Sequence, residues 1–455
     1  MSLFRHYSKA TRIARSTELC CMCSALQHSS HDTWATTRLL QAPQWTSKSG
    51  VASLQRRHYA VQKIDAARMR KDADDRARLG FYGHSRKQAV LHMDPHKANS
   101  IYEDFVHHRT KLDHGNNVQT LASKYKVNIE EISSLALVTF KIPDFSDAAK
   151  RAALPPSQHK TVSGQILQGC AQAEDPLAIV HILTVVHHSS SSSDPAAREI
   201  AALFPRRDLT TYRTTLEKLC ANAQKVPLGP DLLTVQALLL WTEGNRQKAQ
   251  ELLTEAVTRS HLKYHPGSKH PMQYPLVTPW NALGFMLKDS QAPEDQALAR
   301  TYFEMGASQA DDPLSCYELS LLEPRTSAEW LKYVSKAAAS GHKQAAVDVA
   351  EFYQELDHAG FNSLQDGPLS KALNWLAAWK GGSTAALARE WLQVASNAGH
   401  KPSSLKLADY EESIGNIAGA EVYLQRLMDT PRFASGTEEW PHLVQLAKRR
   451  LAVAR

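Results

Sequence analysis

Tyr333-Val-Ser-Lys-Ala-Ala-Ala-Ser-Gly-His342 and Trp391-Leu-Gln-Val-Ala-Ser-Asn-Ala-Gly-His400 are two copies of one ten-residue motif. In both copies an aromatic residue is followed by alanine four places on and by Gly-His eight places on. A looser copy runs from Tyr302 to Asp311, with Ala310 where glycine is expected. Residues at this spacing share one face of an α-helix, so the motif predicts helices that pack against other helices.

Stacking of helix pairs explains why the motif combines small and aromatic residues. Alanine lets neighbouring helices approach closely, and we expect the aromatic side chain to fill the groove between one pair and the next. A single pair cannot bury its own apolar face, so three or more pairs have to stack. The alternative is an irregular bundle of alanine-rich helices. Recurrence of the aromatic residue, the alanine and Gly-His in register favours a repeat.

The motif resembles the Sel-one-like repeat, a relative of the tetratricopeptide repeat. The resemblance covers about 279–428 and extends more weakly back to Asp231. It implies an all-α fold, a right-handed solenoid of helical hairpins, and a protein-binding scaffold as the function. The matching residues are Ala388, Trp391, Ala395, Gly399 and His400 in one copy, Tyr333, Ala337, Gly341, His342, Ala345, Val349, Ala350 and Tyr353 in another, and Ala299, Tyr302 and Ala307 in the looser one.

The repeat is interrupted between its two best copies. Their glycines are 58 residues apart, against 31 between Ala310 and Gly341. The excess predicts an inserted loop over 357–370 and an added helix over 371–380, so strict alternation of helices should fail here. The added helix carries Trp375 and Trp379, which we single out as candidate partner-binding residues. The Gly-His pairs themselves are interpreted as turns between helices and not as a ligand site.

The first 59 residues have the composition of a mitochondrial transit peptide. They contain eight Lys/Arg, two Asp/Glu, many hydroxyl residues and no long apolar run. Such a composition is typical of a cleaved, disordered mitochondrial leader. The sequence Arg57-His58-Tyr59-Ala60 resembles a matrix processing site with arginine three residues before the new N-terminus, which places cleavage after Tyr59. The alternative is a disordered basic tail without an address.

Charge weighs against nucleic acid as the main partner. The net charge of the whole chain is +7, but the leader supplies most of it, and the region from Leu112 onward is mildly acidic. Binding to a phosphate backbone increases with the number of phosphates neutralised, so this region is poorly matched to RNA. RNA binding therefore remains an alternative that the sequence does not favour, supported by the basic segment 61–111 and the basic C-terminus.

Ahead of the repeats the sequence predicts helices without a clear period. Mixed charges over 61–88 indicate a solvated helix that projects outward or lies on a partner, or else a frayed lead-in to the fold. We expect a turn at Gly80–Gly83, followed by a helix that starts at Asp94-Pro95. Residues 118–137 predict a helical hairpin whose second helix begins with Glu130 and Glu131, which repel phosphate. The expected segments are 1–59 (transit peptide), 60–111 (charged helical segment), 112–230 (helices without clear repeats), 231–430 (repeat array) and 431–455 (C-terminal helix).

No motif in the sequence predicts catalysis, a cofactor, a metal or a small-molecule substrate. Phosphate-binding loops, nucleophile elbows and metal-spaced clusters are absent from the sequence. Cys170, Cys220 and Cys316 are far apart, which predicts three buried thiols in a reducing compartment. No apolar run approaches the roughly 18 residues of a membrane span.

The sequence therefore predicts a non-enzymatic protein-binding scaffold or adaptor of the mitochondrial matrix, soluble or peripheral on the inner membrane. Its expected role is as an assembly or organising factor for a respiratory complex or the mitochondrial ribosome. The alternative function is an RNA-binding helical-repeat protein of mitochondrial gene expression.

Overall fold

The computed structural model describes residues 51–145, 152–191, 195–224, 226, 228–263, 270–359, 371, 382–429 and 440–453. Within these ranges the chain forms nineteen α-helices and no strand, which confirms the all-α prediction. The described residues divide into two compact units. The first unit holds 51–239 and 270–276, and the second holds 240–263 and the residues from 277 onward.

The first unit contains nine helices, the last of which ends three residues into the second unit. They are α1 Val51–Lys87, α2 Pro95–His108, α3 His114–Tyr125, α4 Ile129–Phe140, α5 His159–Gln172, α6 Pro176–Ser191, α7 Pro195–Ala201, α8 Arg206–Ala221 and α9 Gly229–Thr242.

The second unit contains ten further helices. They are α10 Arg246–Ser260, α11 Pro279–Lys288, α12 Pro293–Gln309, α13 Pro313–Leu321, α14 Ala328–Ala339, α15 Lys343–Ala359, α16 Ser383–Asn397, α17 Lys401–Ser413, α18 Ile417–Met428 and α19 Pro441–Val453.

Helix α1 differs from its prediction in two ways. It continues through Gly80 and Gly83 instead of turning there, and it packs within the first unit instead of projecting. Phe81 and Tyr82, which lie between the two glycines, are buried. Tyr82 Oη lies 2.6 Å from Thr139 Oγ1 of α4. Burial of large aromatic side chains outweighs the roughly 1 kcal/mol that each helical glycine costs.

The core of the first unit is formed by α4, α5 and α6, which pack on one another. Helix α4 begins at Asn128 with the reciprocal cap that Glu131 completes, as its sequence predicts. Helix α3 lies close against α5 because Gly169 has no side chain: a Cβ there would stand 2.4 Å from the carbonyl oxygen of His114.

In the second unit each helix packs on the helices next to it in the chain. Side chains also reach the helix after next: Lys406 Nζ of α17 lies 3.8 Å from Glu351 Oε1 of α15, and Tyr423 of α18 bonds to Gln393 of α16. The helices therefore fall into two series. The odd-numbered helices contact odd-numbered ones, and the even-numbered helices contact even-numbered ones.

Five even-numbered helices bury residues at the same spacing. Each buries a residue, a second four places on and a third seven places on, which form one stripe of a helix. In three of the five the first and third residues are both small, which lets consecutive helices pack closely. The triplets are Ala249-Leu253-Ala256, Ala299-Phe303-Gly306, Trp330-Val334-Ala337, Ala388-Leu392-Ala395 and Ala420-Leu424-Leu427.

Both Gly-His pairs are turns between helices, as predicted. Gly341 (φ +93°) and Gly399 (φ +89°) adopt the left-handed conformation. The next residue caps the following helix, because Nδ1 of His342 accepts from Ala345 N at 3.2 Å and Nδ1 of His400 accepts from Ser403 N at 3.3 Å. Gly244-Asn245 and Gly415-Asn416 form the same turn, with asparagine as the cap.

The looser copy of the motif has a turn that is one residue longer. His342 N donates to the carbonyl of Ala337, five residues back, whereas Asp312 N donates to the carbonyl of Gly306, six residues back. The left-handed residue is consequently Asp311 (φ +60°) and not Ala310, where the sequence comparison places the glycine. Aspartate tolerates this conformation better than most residues.

The two helices that flank the predicted insertion remain neighbours. Helices α15 and α16 pack directly on each other, and Thr384 Oγ1 at the start of α16 donates to Asp357 Oδ1 near the end of α15 at 2.7 Å. Apart from 357–359 and 371, the predicted loop (357–370) and added helix (371–380) lie outside the described residues, so the interruption of strict helix alternation stays a prediction.

Replacing Gly341 by alanine should lower the free energy of unfolding of the second unit by about 1–2 kcal/mol. No atom lies within 4 Å of the added Cβ, so the cost is conformational and not steric. Gly341→Asn should cost less. Urea unfolding followed by far-ultraviolet circular dichroism, which reports the helices of both units, measures the effect in this variant and in its control. The control is Gly80→Ala within α1, where the added Cβ also meets open space, and it should stabilise the first unit by about 1 kcal/mol. If both alanine variants changed the free energy of unfolding in the same direction, the prediction would be wrong.

Candidate functional site

Four even-numbered helices each carry an aromatic residue at the same position. It comes directly before the middle residue of the buried triplet, and we call these four residues the aromatic column. All four are half-buried and pack against the core of the second unit. The side chains of the column are Tyr302, Tyr333, Trp391 and Tyr423. Tyr423 Oη donates to Gln393 of the preceding even-numbered helix. That the other three side chains fill the grooves between helix pairs stays a prediction.

Two cations join successive even-numbered helices. Lys336 Nζ donates to the carbonyl of Ala307 at 2.6 Å, at the end of α12. Arg426 donates to Ser396 Oγ at 3.1 Å and to Asn397 Oδ1 at 2.6 Å, at the end of α16. A positive charge is favourable at the carbonyl end of a helix, so both contacts stabilise the helix that receives them.

Antiparallel packing places the helix termini of the second unit on two edges. Even-numbered helices end, and odd-numbered helices start, on the edge that carries Lys336, Lys343, Lys401 and Arg426. The opposite edge holds the ends of the odd-numbered helices and the starts of the even-numbered ones. We call it the acidic edge; its carboxylates are Glu294, Asp295, Glu323, Glu329, Glu355, Asp357, Glu411 and Glu412, and it also carries the cations Arg325, Lys448, Arg449 and Arg450.

The acidic edge also exposes apolar side chains. Leu321 and Leu322 at the end of α13 are 56% and 47% exposed, and Ile414 and Ile417 around the α17–α18 turn are 58% and 53% exposed. The α13–α14 turn is tied to the end of α15 by an ion pair of 3.2 Å between Arg325 and Glu355. Aliphatic and acidic groups together make this edge the candidate functional site of the second unit.

A buried carboxylate fixes the start of α13. Asp312, 1% exposed, accepts hydrogen bonds at Oδ2 from Thr278 Oγ1 (3.0 Å), Trp280 Nε1 (2.7 Å) and Asn281 Nδ2 (2.8 Å). Its Oδ1 accepts from Leu314 N at 2.9 Å. Because its oxygens are taken by donors from α11 and α13, this carboxylate joins two helices and has no evident role in proton transfer.

The sequence-predicted site residues lie in different places. Arg57, Tyr59 and Ala60 fall within α1, whose backbone is helical from Val51, so the expected leader boundary after Tyr59 is not a boundary of secondary structure. The segment 1–59 is expected to be disordered, and its last nine residues, 51–59, belong to α1. Trp375 and Trp379 lie outside the described residues.

In the first unit a histidine contacts a serine, but the tautomer of the histidine does not suit nucleophilic catalysis. His270 Nε2 lies 2.8 Å from Ser134 Oγ. Nδ1 of the same ring accepts from Met272 N at 3.2 Å, which places the proton of the neutral imidazole on Nε2. His270 therefore donates to Ser134 and cannot take its proton, as a general base would have to do.

Metal-ligating side chains and thiols are the remaining candidates for chemistry in the described part of the chain. No group of three or more His, Cys, Asp or Glu side chains there is arranged to hold a metal ion. Cys170 and Cys316 are buried and Cys220 is half-buried, which corrects the prediction of three buried thiols. Burial raises the pKa of Cys316 to about 11, so its thiolate is scarce at neutral pH.

Sequence reasoning did not find the acidic edge. Its residues are spread over turns between 294 and 417, and exposed leucines in turns carry no periodic signal. One feature of the sequence could have indicated it. Acidic residues recur in the first turns of α12 and α14, where the helix dipole favours them, and these helices start on the same edge.

The chain matches no family model, no curated protein and no solved structure. Among the described helices none has the length and apolar character needed to cross a bilayer.

Stability of the first unit should fall as the pH drops below about 6.5. Burial lowers the pKa of His181 to about 3, with Lys141 and His270 adding to the effect, and burial lowers that of His270 to about 4. Between these values and the ordinary 6.5 the unfolded chain binds protons that the folded chain does not. Each histidine therefore costs about 1.4 kcal/mol of stability per pH unit in that window, and the contribution is fully present above pH 6.5.

Urea unfolding of the first unit at pH 7.5, 6 and 5 measures this slope. The matched variant is His181→Asn, whose Oδ1 can replace the Nδ1 that accepts from Tyr274 N at 3.1 Å. The variant should keep the fold and show a shallower slope. An unchanged slope in His181→Asn would show that His181 does not contribute to the acid sensitivity.

Proposed function

We propose that the chain is a protein-binding scaffold or adaptor and that helices α10–α19 form a right-handed, tetratricopeptide-like solenoid of helical hairpins. The observation that supports this most is the shared spacing of buried residues in five even-numbered helices, together with the shared glycine-and-cap turns. Repeated units that contact only near neighbours leave an extended surface for partners.

The proposed scaffold works in the mitochondrial matrix. Support comes from the composition of the first 59 residues and from the processing motif at Arg57–Ala60. Its role there is to assemble or organise a larger complex, either of the respiratory chain or of the mitochondrial ribosome. The proposal assigns no catalytic step to the protein, in line with the tautomer of His270 and the saturated carboxylate of Asp312.

Proximity labelling in intact mitochondria tests both parts of the proposal. The full chain carries the labelling enzyme at its C-terminus, and a chain lacking 1–59 is the control for address. We expect matrix proteins, enriched in the subunits of one complex, to be labelled by the full chain alone. Labelling confined to cytosolic proteins would contradict the address, and the absence of any enriched partner would contradict the scaffold.

A further inference from the structure

Residues 270–276 form an irregular strap that packs in the first unit. The strap contains neither helix nor strand, yet Met272, Gln273 and Tyr274 are 5%, 3% and 8% exposed. Helices α10 and α11, which precede and follow the strap, belong to the second unit. The strap is therefore a short buried segment whose backbone has to find its hydrogen-bond partners outside regular secondary structure.

Three consecutive backbone N–H groups of the strap find such partners, and two of the three partners are imidazole nitrogens. Met272 N donates to Nδ1 of His270 at 3.2 Å, and Gln273 N donates to the carbonyl of His270 at 2.9 Å. Tyr274 N donates to Nδ1 of His181 in α6 at 3.1 Å. Buried N–H groups need an acceptor, and an imidazole nitrogen accepts only while it carries no proton.

His270 also connects the strap to α4. Because its Nδ1 accepts, its Nε2 carries the proton and donates to Ser134 Oγ at 2.8 Å. Ser134 Oγ donates in turn to the carbonyl of Val90, between α1 and α2, at 3.4 Å. This chain of hydrogen bonds runs from Met272 N to the carbonyl of Val90, and its first step requires the neutral ring of His270.

The groups that act electrostatically on the two histidines are bases. Lys141, directly after α4, and His270 act on His181. His92, between α1 and α2, acts on His270. From α6, the ring of His188 packs against the strap. No carboxylate of the described residues is among these groups, so nothing there offsets a positive charge on either ring.

We propose that residues 270–276 are an acid-released strap: protonation of His181 and His270 frees this segment from the first unit while the core of the unit stays folded. Each proton turns an acceptor nitrogen into a second donor that faces a backbone N–H group. Release lets both imidazolium rings reach water, which removes the cost of burying their charge. This inference does not rest on the proposed scaffold function.

The strap should leave before the core opens because little holds it. Its release exposes far less apolar surface than unfolding of α4, α5 and α6, so it costs less free energy. The buried side-chain amide of Gln273 has no hydrogen-bond partner among the described residues, which weakens the docked state further. Docking is fully stabilised above the ordinary histidine pKa of about 6.5 and weakens as the pH falls below it, since only the released strap binds the protons.

Hydrogen exchange of the full chain, measured by mass spectrometry at pH 7.5, 6 and 5, tests the proposal. Rates are corrected for the intrinsic effect of pH, and the amides of α5 serve as the reference for the core. We expect protection of the strap amides to fall about thirtyfold from pH 7.5 to pH 5 for each histidine that titrates. Helix α5 should stay the better protected segment at every pH. Strap protection that does not change with pH, or that equals the protection of α5 at pH 5, overturns the proposal.

His181→Asn and His270→Asn are the matched variants. Asparagine offers an acceptor oxygen that cannot be protonated in this range, and at 270 it can accept from the N–H two residues on, as in an Asx turn. Each variant should remove about thirtyfold of the acid-induced loss, and the double variant nearly all of it. The control is His96→Asn, an exposed histidine of α2, which should leave the loss unchanged.

A double variant that keeps its strap protected at pH 7.5 but still shows the full wild-type loss at pH 5 contradicts the role of the histidines. Where a variant loses strap protection already at pH 7.5, the comparison of the strap with α5 in the wild type decides the proposal.

Discussion

Asp312→Ala should lower the free energy of unfolding of the second unit by about 3–5 kcal/mol. The substitution leaves the buried donors of Trp280 and Asn281 and the half-buried donor of Thr278 without their acceptor. Each buried unsatisfied donor costs about 1–3 kcal/mol. This is a large part of the 5–15 kcal/mol by which domains are usually stable. Every tryptophan among the described residues lies in the second unit, so the urea midpoint of tryptophan fluorescence reports the effect.

Asp311 supplies the matched control, since it adjoins Asp312 but is exposed. Its contact is an ion pair with Lys336 at 2.5 Å, and its side chain is 82% exposed. Exposed pairs contribute about 0–1 kcal/mol, and asparagine accepts the left-handed backbone, so Asp311→Asn should shift the midpoint little. Similar losses in Asp312→Ala and Asp311→Asn would show that the buried network is not what stabilises the start of α13.

Arg78→Ala should lower the free energy of unfolding of the first unit by about 2–3 kcal/mol, since the charged hydrogen bonds of a buried guanidinium are lost. Arg78 is 3% exposed and bonds to Asp75 and Glu103, with Asn99 Oδ1 at 2.8 Å from Nε. Its guanidinium also lies 4.2 Å from the ring centre of Tyr102. The side chains of Asp75 and Glu103 are 32% and 37% exposed, so water partly solvates their carboxylates once the guanidinium is removed.

Arg76→Ala, two residues away on the exposed side of α1, is the control for Arg78→Ala. Arg76 donates to the carbonyl of Asp72 within the same helix, and its loss should change stability by less than about 0.5 kcal/mol. Hydrogen exchange of the amides in α2 and α5 measures both variants in the first unit. If the amides of α2 and α5 were as protected in Arg78→Ala as in the wild type, the contacts of Arg78 would not be what holds α1 against these helices.

The all-α class and the turns of the second unit were predictable because both rest on local rules. Glycine followed by a capping residue identifies a turn from the chain alone, and Gly341, Gly399 and Gly415 follow that rule. The turn at Asp311 was placed one residue early because aspartate can take the left-handed conformation and the sequence carries no glycine there. The solenoid remains a proposal.

Features that depend on distant residues could not be predicted. Helix α1 was expected to turn at Gly80–Gly83, since the positions of Phe81 and Tyr82 against α4 are set by tertiary packing. Arg78 looked like one of many surface charges, and only its contacts with Glu103 and Asn99 show that it is buried. The acidic edge is assembled from turns far apart in the chain.

Close-neighbour packing in the second unit has a consequence for the order in which it forms. Lys336 bonds to Ala307, 29 residues earlier, and Arg426 bonds to Ser396, 30 residues earlier. Contacts with short sequence separation are reached quickly, because closing a short loop costs little entropy. Each helix pair can therefore assemble on the previous pair while later residues are still being synthesised. A terminal helix pair can also open and reclose while the pairs before it stay folded.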